Sequence, residues 1–120
     1  MSKNFDINLL RVKSQKTHSL EEILEIFLHT DTQVKVASLV LNDLAIQKKT
    51  AVQLYEGLEI KKYMSDVAFY NLLKKLRKLG MIRKEEFSTR YRLSNAFASK
   101  LRKLAEDWKR LWKVKSDEED

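Results

Sequence analysis

The chain has no cysteine, no proline and only two glycines among its 120 residues. Without thiols there are no disulfides and no thiolate metal ligands. With His18 and His29 as the only imidazoles, a histidine nucleophile or a zinc site has almost no raw material. Neither a Ser-His-Asp set nor paired carboxylates at catalytic spacing can be picked out, and Gly57 and Gly80 cannot build a phosphate-cradling loop. An enzyme is therefore the least expected class, and no cofactor or metal is expected. No run of 18 apolar residues and no charged-then-apolar leader occurs, so the expectation is a soluble cytoplasmic protein with no membrane partner. The scarcity of turn residues points to a backbone that is mostly helical. A chain of this length buries roughly two-thirds of the surface it exposes when unfolded, a modest core that pairing with another chain would reinforce.

What is present in excess is positive charge, and it is not spread evenly. The net charge is +7, and residues 61–92 hold ten Lys or Arg against three acids, which accounts for all of it; the other 88 residues balance to zero. A basic excess confined to one stretch indicates a polyanionic partner more than general solubility, for which a solvated lysine-rich face would suffice.

That stretch has a readable shape. Ser65 is a good N-cap and Gly80 a good C′ residue. Between them Phe69, Leu72, Leu73, Leu76 and Leu79 recur at helical spacing, which predicts an amphipathic helix over 65–79. Its other face carries Tyr70, Asn71, Lys74, Lys75, Arg77 and Lys78. After Gly80, Ile82, Tyr91 and Leu93 are expected to point inward while Arg83, Arg90 and Arg92 point outward, in a two-stranded ribbon turning near Glu86 to Ser88. A basic helix feeding a basic hairpin is the form of a DNA groove reader.

The rest of the chain frames it. Residues 1–17 lack a helix cap and alternate only weakly; they read as an N-terminal arm, disordered or forming an edge strand or short helix. Ser19 and Glu22 form a capping box for a first helix through Leu28, ending near His29 and Thr30. Asp31 or Thr32 is expected to cap a second helix running to Lys49, apolar around most of its circumference and so covered on more than one side. Thr50 starts a short helix with Ala51, Leu54, Tyr55 and Leu58 inward, and the segment 60–64 links it to the basic helix. Helix, connector and amphipathic basic helix make a loose helix-turn-helix. From Ser94 a last helix is expected to 115, with Phe97, Leu101, Leu104, Trp108 and Leu111 stepping four, three, four, three and Trp112 beside them. That seam needs a partner surface, either a second copy or the chain's own domain. The acidic tail 116–120 is expected to stay unpacked.

The run from Leu72 to Ser94 resembles the L-x-x-L-x-x-x-G-[LM]-I signature of winged helix-turn-helix transcription regulators of the MarR, ArsR and PadR kind, found in bacteria and archaea. Leu73, Leu76, Gly80, Met81 and Ile82 stand at the matching positions, and Tyr91 and Leu93 match the returning wing strand. The resemblance implies a mainly α fold with a small β-hairpin wing, a winged-helix DNA-binding domain over 18–93, and an extra C-terminal dimerisation helix over 94–115. It also implies a recognition helix at 65–79 in the major groove and a wing at 81–93 on the backbone or minor groove. The dimer interface would comprise Phe97, Leu101, Leu104, Trp108, Leu111 and Trp112.

Side-chain chemistry assigns the DNA-facing roles. Asn71 can pair with adenine, Tyr70 and Ser65 can bond phosphates or base edges, and Lys74, Lys75 and Lys78 can reach phosphates or guanine. Arg83, Lys84, Arg90 and Arg92 suit the backbone. The expectation is a homodimeric, sequence-specific regulator on an inverted repeat of double-stranded DNA, associated with the nucleoid. The alternatives are an architectural or partition protein that coats DNA, and a winged-helix module that binds protein.

Overall fold

The computed structural model describes residues 18–112. The expected N-terminal arm, the end of the last helix and the acidic tail lie outside the described residues. Within them the chain is mainly helical with a small antiparallel sheet. In chain order come α1 (Leu20–Phe27), α2 (Asp31–Ile46), β1 (Lys49–Thr50), α3 (Ala51–Gly57), a 3-10 turn (Ile60–Lys62), α4 (Asp66–Leu79), β2 (Ile82–Lys84), β3 (Arg90–Leu93) and α5 (Ala96–Leu111).

Side-chain caps set most of the helix starts. The Ser19 hydroxyl accepts from the Glu22 amide at 3.2 Å while the Glu22 carboxylate accepts from the Ser19 amide at 2.8 Å. Thr50 and Gln53 repeat that reciprocal pair at α3, and the Ser65 hydroxyl accepts from the Ala68 amide at 3.2 Å at the head of α4. Each such cap stabilises its helix by about 1 kcal/mol by satisfying an amide that the first turn leaves without a partner. Helix α2 begins one residue earlier than the sequence suggests, because Thr30, not Asp31 or Thr32, accepts from the Gln33 amide, at 3.1 Å.

Helix α2 is the spine. Val36, Ala37 and Val40 are fully buried between α1 on one side and β3 and α4 on another, which is why its sequence is apolar beyond a single face. The exception is its last turn, where Ile46 is exposed. Ser38, the buried polar residue of this core, donates to the Glu21 carboxylate at 2.8 Å, which ties α2 to α1 and lowers the Glu21 pKa. Phe69 of α4 is fully buried against the Tyr55 ring of α3, with centroids 5.5 Å apart. The connector between α3 and α4 is pinned as well: Ile60 is fully buried and the Tyr55 hydroxyl donates to the Met64 carbonyl at 3.4 Å.

Four expectations are corrected. The sheet has three strands in the order β1-β3-β2, not two, because α2 stops at Ile46 and releases Lys49 and Thr50 to pair with Tyr91 and Arg90. Leu93 shares its side of the ribbon with buried Ile82, its partner in the register, but is 38 % exposed and not a core residue, since it ends β3 past the two residues that β1 pairs with. Helix α5 starts at Ala96, with the Ser94 hydroxyl accepting from the Ala96 amide at 3.1 Å. Phe97 is not part of a bare seam: it packs edge-on against Phe27 of its own domain at 5.2 Å.

Gly80 joins α4 to both hairpin and α5. Its φ is +85°, a left-handed conformation that closes the helix, and a Cβ there would lie 2.7 Å from the Phe97 amide nitrogen and 2.9 Å from the Ala96 carbonyl carbon. Only glycine fits so close an approach of backbone to backbone. The Phe97 amide donates to the Gly80 carbonyl at 2.9 Å, so the hairpin and α5 leave the end of α4 in set directions.

Candidate functional site

The face of α4 opposite its buried stripe is formed by Val67, Asn71, Lys74 and Lys78, residues spaced four, three and four apart and all exposed. Tyr70 and Arg77 lie along the flank of that stripe nearer the hairpin, and Lys75, half-buried, along the other. Tyr70 is 47 % exposed, with its ring edge-on to Phe69 at 6.2 Å, so it rests on the core rim with part of the side chain open to solvent. Ser65 is exposed but its oxygen is committed to the Ala68 amide, which leaves its O–H to donate.

The hairpin extends this surface. In the register, Arg83 stands directly opposite Arg92, with Glu85 and Arg90 next on the same face. Two like charges placed face to face repel, an arrangement that an anionic ligand would relieve. Arg77 from the last turn of α4 and Arg83, Lys84 and Arg92 from the strands line one open groove of about 850 Å³, with Phe87 at its outer edge. The Lys84 ammonium sits 5.8 Å from the centre of the Tyr91 ring.

Most of these cations lack a counter-charge. Among the described residues no carboxylate lies within 4.0 Å of Lys74, Lys75, Arg77, Lys78, Arg83, Lys84 or Arg92, whereas Lys48, Lys49, Lys62 and Arg90 do have acid partners. Glu85 is held by Lys48 at 2.6 Å and by the Ser88 hydroxyl at 2.6 Å, with the Arg90 guanidinium at 3.6 Å. Those partners, Lys48 foremost, bring its pKa down from the usual 4.5 to about 2. The acid that would oppose an anion at the hairpin is thus neutralised within the fold, while Glu86 remains exposed beside Phe87.

All ten residues expected to face DNA are reachable from solvent; Asn71, Lys74 and Lys78 share the outward face of α4, and Arg83, Lys84 and Arg92 line the groove that Arg77 joins to the last turn of that helix. Arg90 is partly engaged by Glu85, and Ser65 serves the helix start. Three further exposed residues lie beside these and were not among the ten. Arg77 completes the groove, Val67 is 67 % exposed at the N-terminal end of the outward stripe, and Phe87 is 94 % exposed at the hairpin tip. Val67 could have been found from its place on the helical wheel, opposite Phe69 and Leu73. Phe87 stands out only once the turn is seen to bury nothing.

Beyond the hairpin, Leu101, Leu104, Trp108, Leu111 and Trp112 are all exposed, and no residue of α5 is buried. Among the described residues no group of three His, Cys, Asp or Glu is placed to hold a metal ion, and no helix is long and apolar enough to cross a membrane. Neither the curated proteins nor the solved structures contain a match to this chain. A family model described as an archaeal family matches residues 16–114, most of the length, and the chain belongs to that archaeal family.

Proposed function

We propose that this protein is a winged-helix, sequence-specific double-stranded DNA-binding transcription regulator acting as a homodimer. In this reading α4 enters the major groove, the β2–β3 hairpin is the wing on the adjacent backbone or minor groove, and α5 supplies the dimer contact. The observation that carries it is the run of cations without acid partners along the outward face of α4 and across the Arg83–Arg92 face of the hairpin. Such a surface is stable only in a high dielectric or against a polyanion. On the same face Asn71 offers the paired donor and acceptor that read adenine, and exposed Val67 offers an apolar contact for a thymine methyl, features that a purely electrostatic surface does not need.

Retardation of duplex DNA measured over a range of salt tests the proposal. The dimer would neutralise on the order of ten phosphates, so affinity falls steeply with salt; Lys74→Ala with Lys78→Ala removes four cations per dimer from the outward face of α4 and should reduce the slope by about four. An unchanged slope takes α4 out of the interface, and a chain that retards no duplex at low salt ends the reading.

A further inference from the structure

Helix α5 is anchored at one end and bare along the rest. Phe97 leans on Phe27, while Leu101, Leu104, Trp108 and Leu111 are between 40 and 73 % exposed. Their spacing repeats every seven residues, the period at which two helices seat side chains into one another. We infer that this stripe is covered by α5 of a second copy running antiparallel, with each Leu101 opposite the partner's Leu104 and each Phe97 opposite the partner's Trp108. The inference rests on the dimeric reading above and adds direction and register to it.

The residues beside the stripe select both. One flank holds Lys100 and Asp107; the other holds Ala98, Ala105 and Trp112. In an antiparallel pair each flank meets its own counterpart. With the stated register Lys100 faces the partner's Asp107 twice, once from each copy. Ala105 meets the partner's Ala105 near the two-fold axis, and small Ala98 leaves room for the partner's Trp112. Sliding the pair by one heptad sets Asp107 against the partner's Asp107, two like charges at close range. A parallel pair sets Lys100 against alanine and Asp107 against tryptophan, with no charge matched at all.

The monomer is prepared for these contacts. Lys100 gives one N–H to the Lys78 carbonyl at 3.0 Å, which leaves two of its three donors. Asp107 accepts from Lys103 and Arg110 of its own helix, and a carboxylate has about four acceptor positions. The Trp108 and Trp112 rings already form a tilted pair 5.7 Å apart, and the register lays that pair on the partner's Phe97, next to its contact with Phe27. Leu111, one step further, reaches the partner's Ser94 and the exposed Leu93 before it.

Sedimentation equilibrium on the full chain, without DNA, tests this through Lys100→Glu, Lys100→Gln, Asp107→Lys and an equimolar mixture of the first and last. Both Lys100 variants lose the bond to Lys78, but only Lys100→Glu places like charges across the interface. It should dimerise more weakly than Lys100→Gln by on the order of tenfold, for two exposed pairs changed from attraction to repulsion. Asp107→Lys should weaken similarly, and the mixture should recover nearly wild-type affinity, because both cross contacts are then opposite in sign. A monomeric wild-type chain, equal dimerisation of the two Lys100 variants, or a mixture no tighter than its components each overturns the inference. Duplex retardation is read separately. A dimer with this charge pattern that binds no DNA sinks the regulator and spares the pairing, and a monomer that binds DNA does the reverse.

Discussion

Asn71 lies at the centre of the outward stripe of α4, with Val67 one turn before it and Lys74 one turn after. In the proposed reading Lys74 and Lys78 supply affinity that any duplex can satisfy, since a lysine reaches phosphates regardless of sequence. A side-chain amide is different, because its donor and acceptor fit one base edge and clash with the others. Asn71→Ala should therefore leave overall DNA affinity and its salt slope little changed while relaxing preference at one base pair, a loss of about 1–3 kcal/mol of discrimination. Selection from random duplexes with wild type and variant reads this directly, and identical motifs would show that Asn71 does not read a base. Tyr70 is poorly suited to the same test: its ring also rests on Phe69, so its removal mixes a packing loss with a lost contact.

A short chain of charges, Lys48 to Glu85 to Arg90, adds to the β1–β3 pairing and to buried Ile82 and Tyr91 in holding the hairpin to the domain, with Ser88 closing the turn onto the same carboxylate. Glu85 has its pKa lowered on folding, so the stabilisation it provides is complete above the ordinary 4.5 and is lost as pH falls through about 2. Amide hydrogen exchange followed across that window should show protection in the hairpin fading while that of α4 persists, and Glu85→Gln should show a hairpin whose protection no longer depends on pH there. Equal loss in both elements would mean that the hairpin does not open by itself. This element also marks where the sequence stops being informative. Helix α4 was legible because its cap, its apolar stripe and its terminal glycine lie within one continuous segment and agree with one another. Strand β1 was not, because two residues of a Lys-Lys-Thr run carry no alternation; they become a strand only because β3 presents an edge beside them. The Lys48–Glu85 pair was hidden for the same reason, as a product of tertiary placement. The exposure of Leu93 was misjudged from period-two alternation, which describes which side of a strand a residue takes but not where the core ends.

Two copies joined through α5 would present two α4 helices at a separation that the pairing itself determines. If Phe97 lies opposite the partner's Trp108, the two Phe97 residues are eleven residues apart along the helix pair, or roughly 17 Å at 1.5 Å per residue. The bond from Lys100 to the end of α4 holds each α4 beside the first turn of its α5, so each recognition face needs to stand only about one helix width further out to reach successive major grooves, about 34 Å apart. Because Gly80 and the Phe27–Phe97 contact hold α5 against the domain over its first turn, the two faces are expected to move as one body. Once the preferred inverted repeat is known, adding five base pairs between its halves turns the second half-site to the far side of the duplex. A rigid dimer then binds one half-site at a time, and retardation should show affinity at least tenfold lower, close to that of a single half-site. A dimer that tolerates the insertion would have its domains hinged at the start of α5, contrary to the tight backbone approach at Gly80. A footprint that lengthens with concentration instead of stopping at one repeat would place this surface among proteins that coat DNA, with the same cations at work and no code read by Asn71.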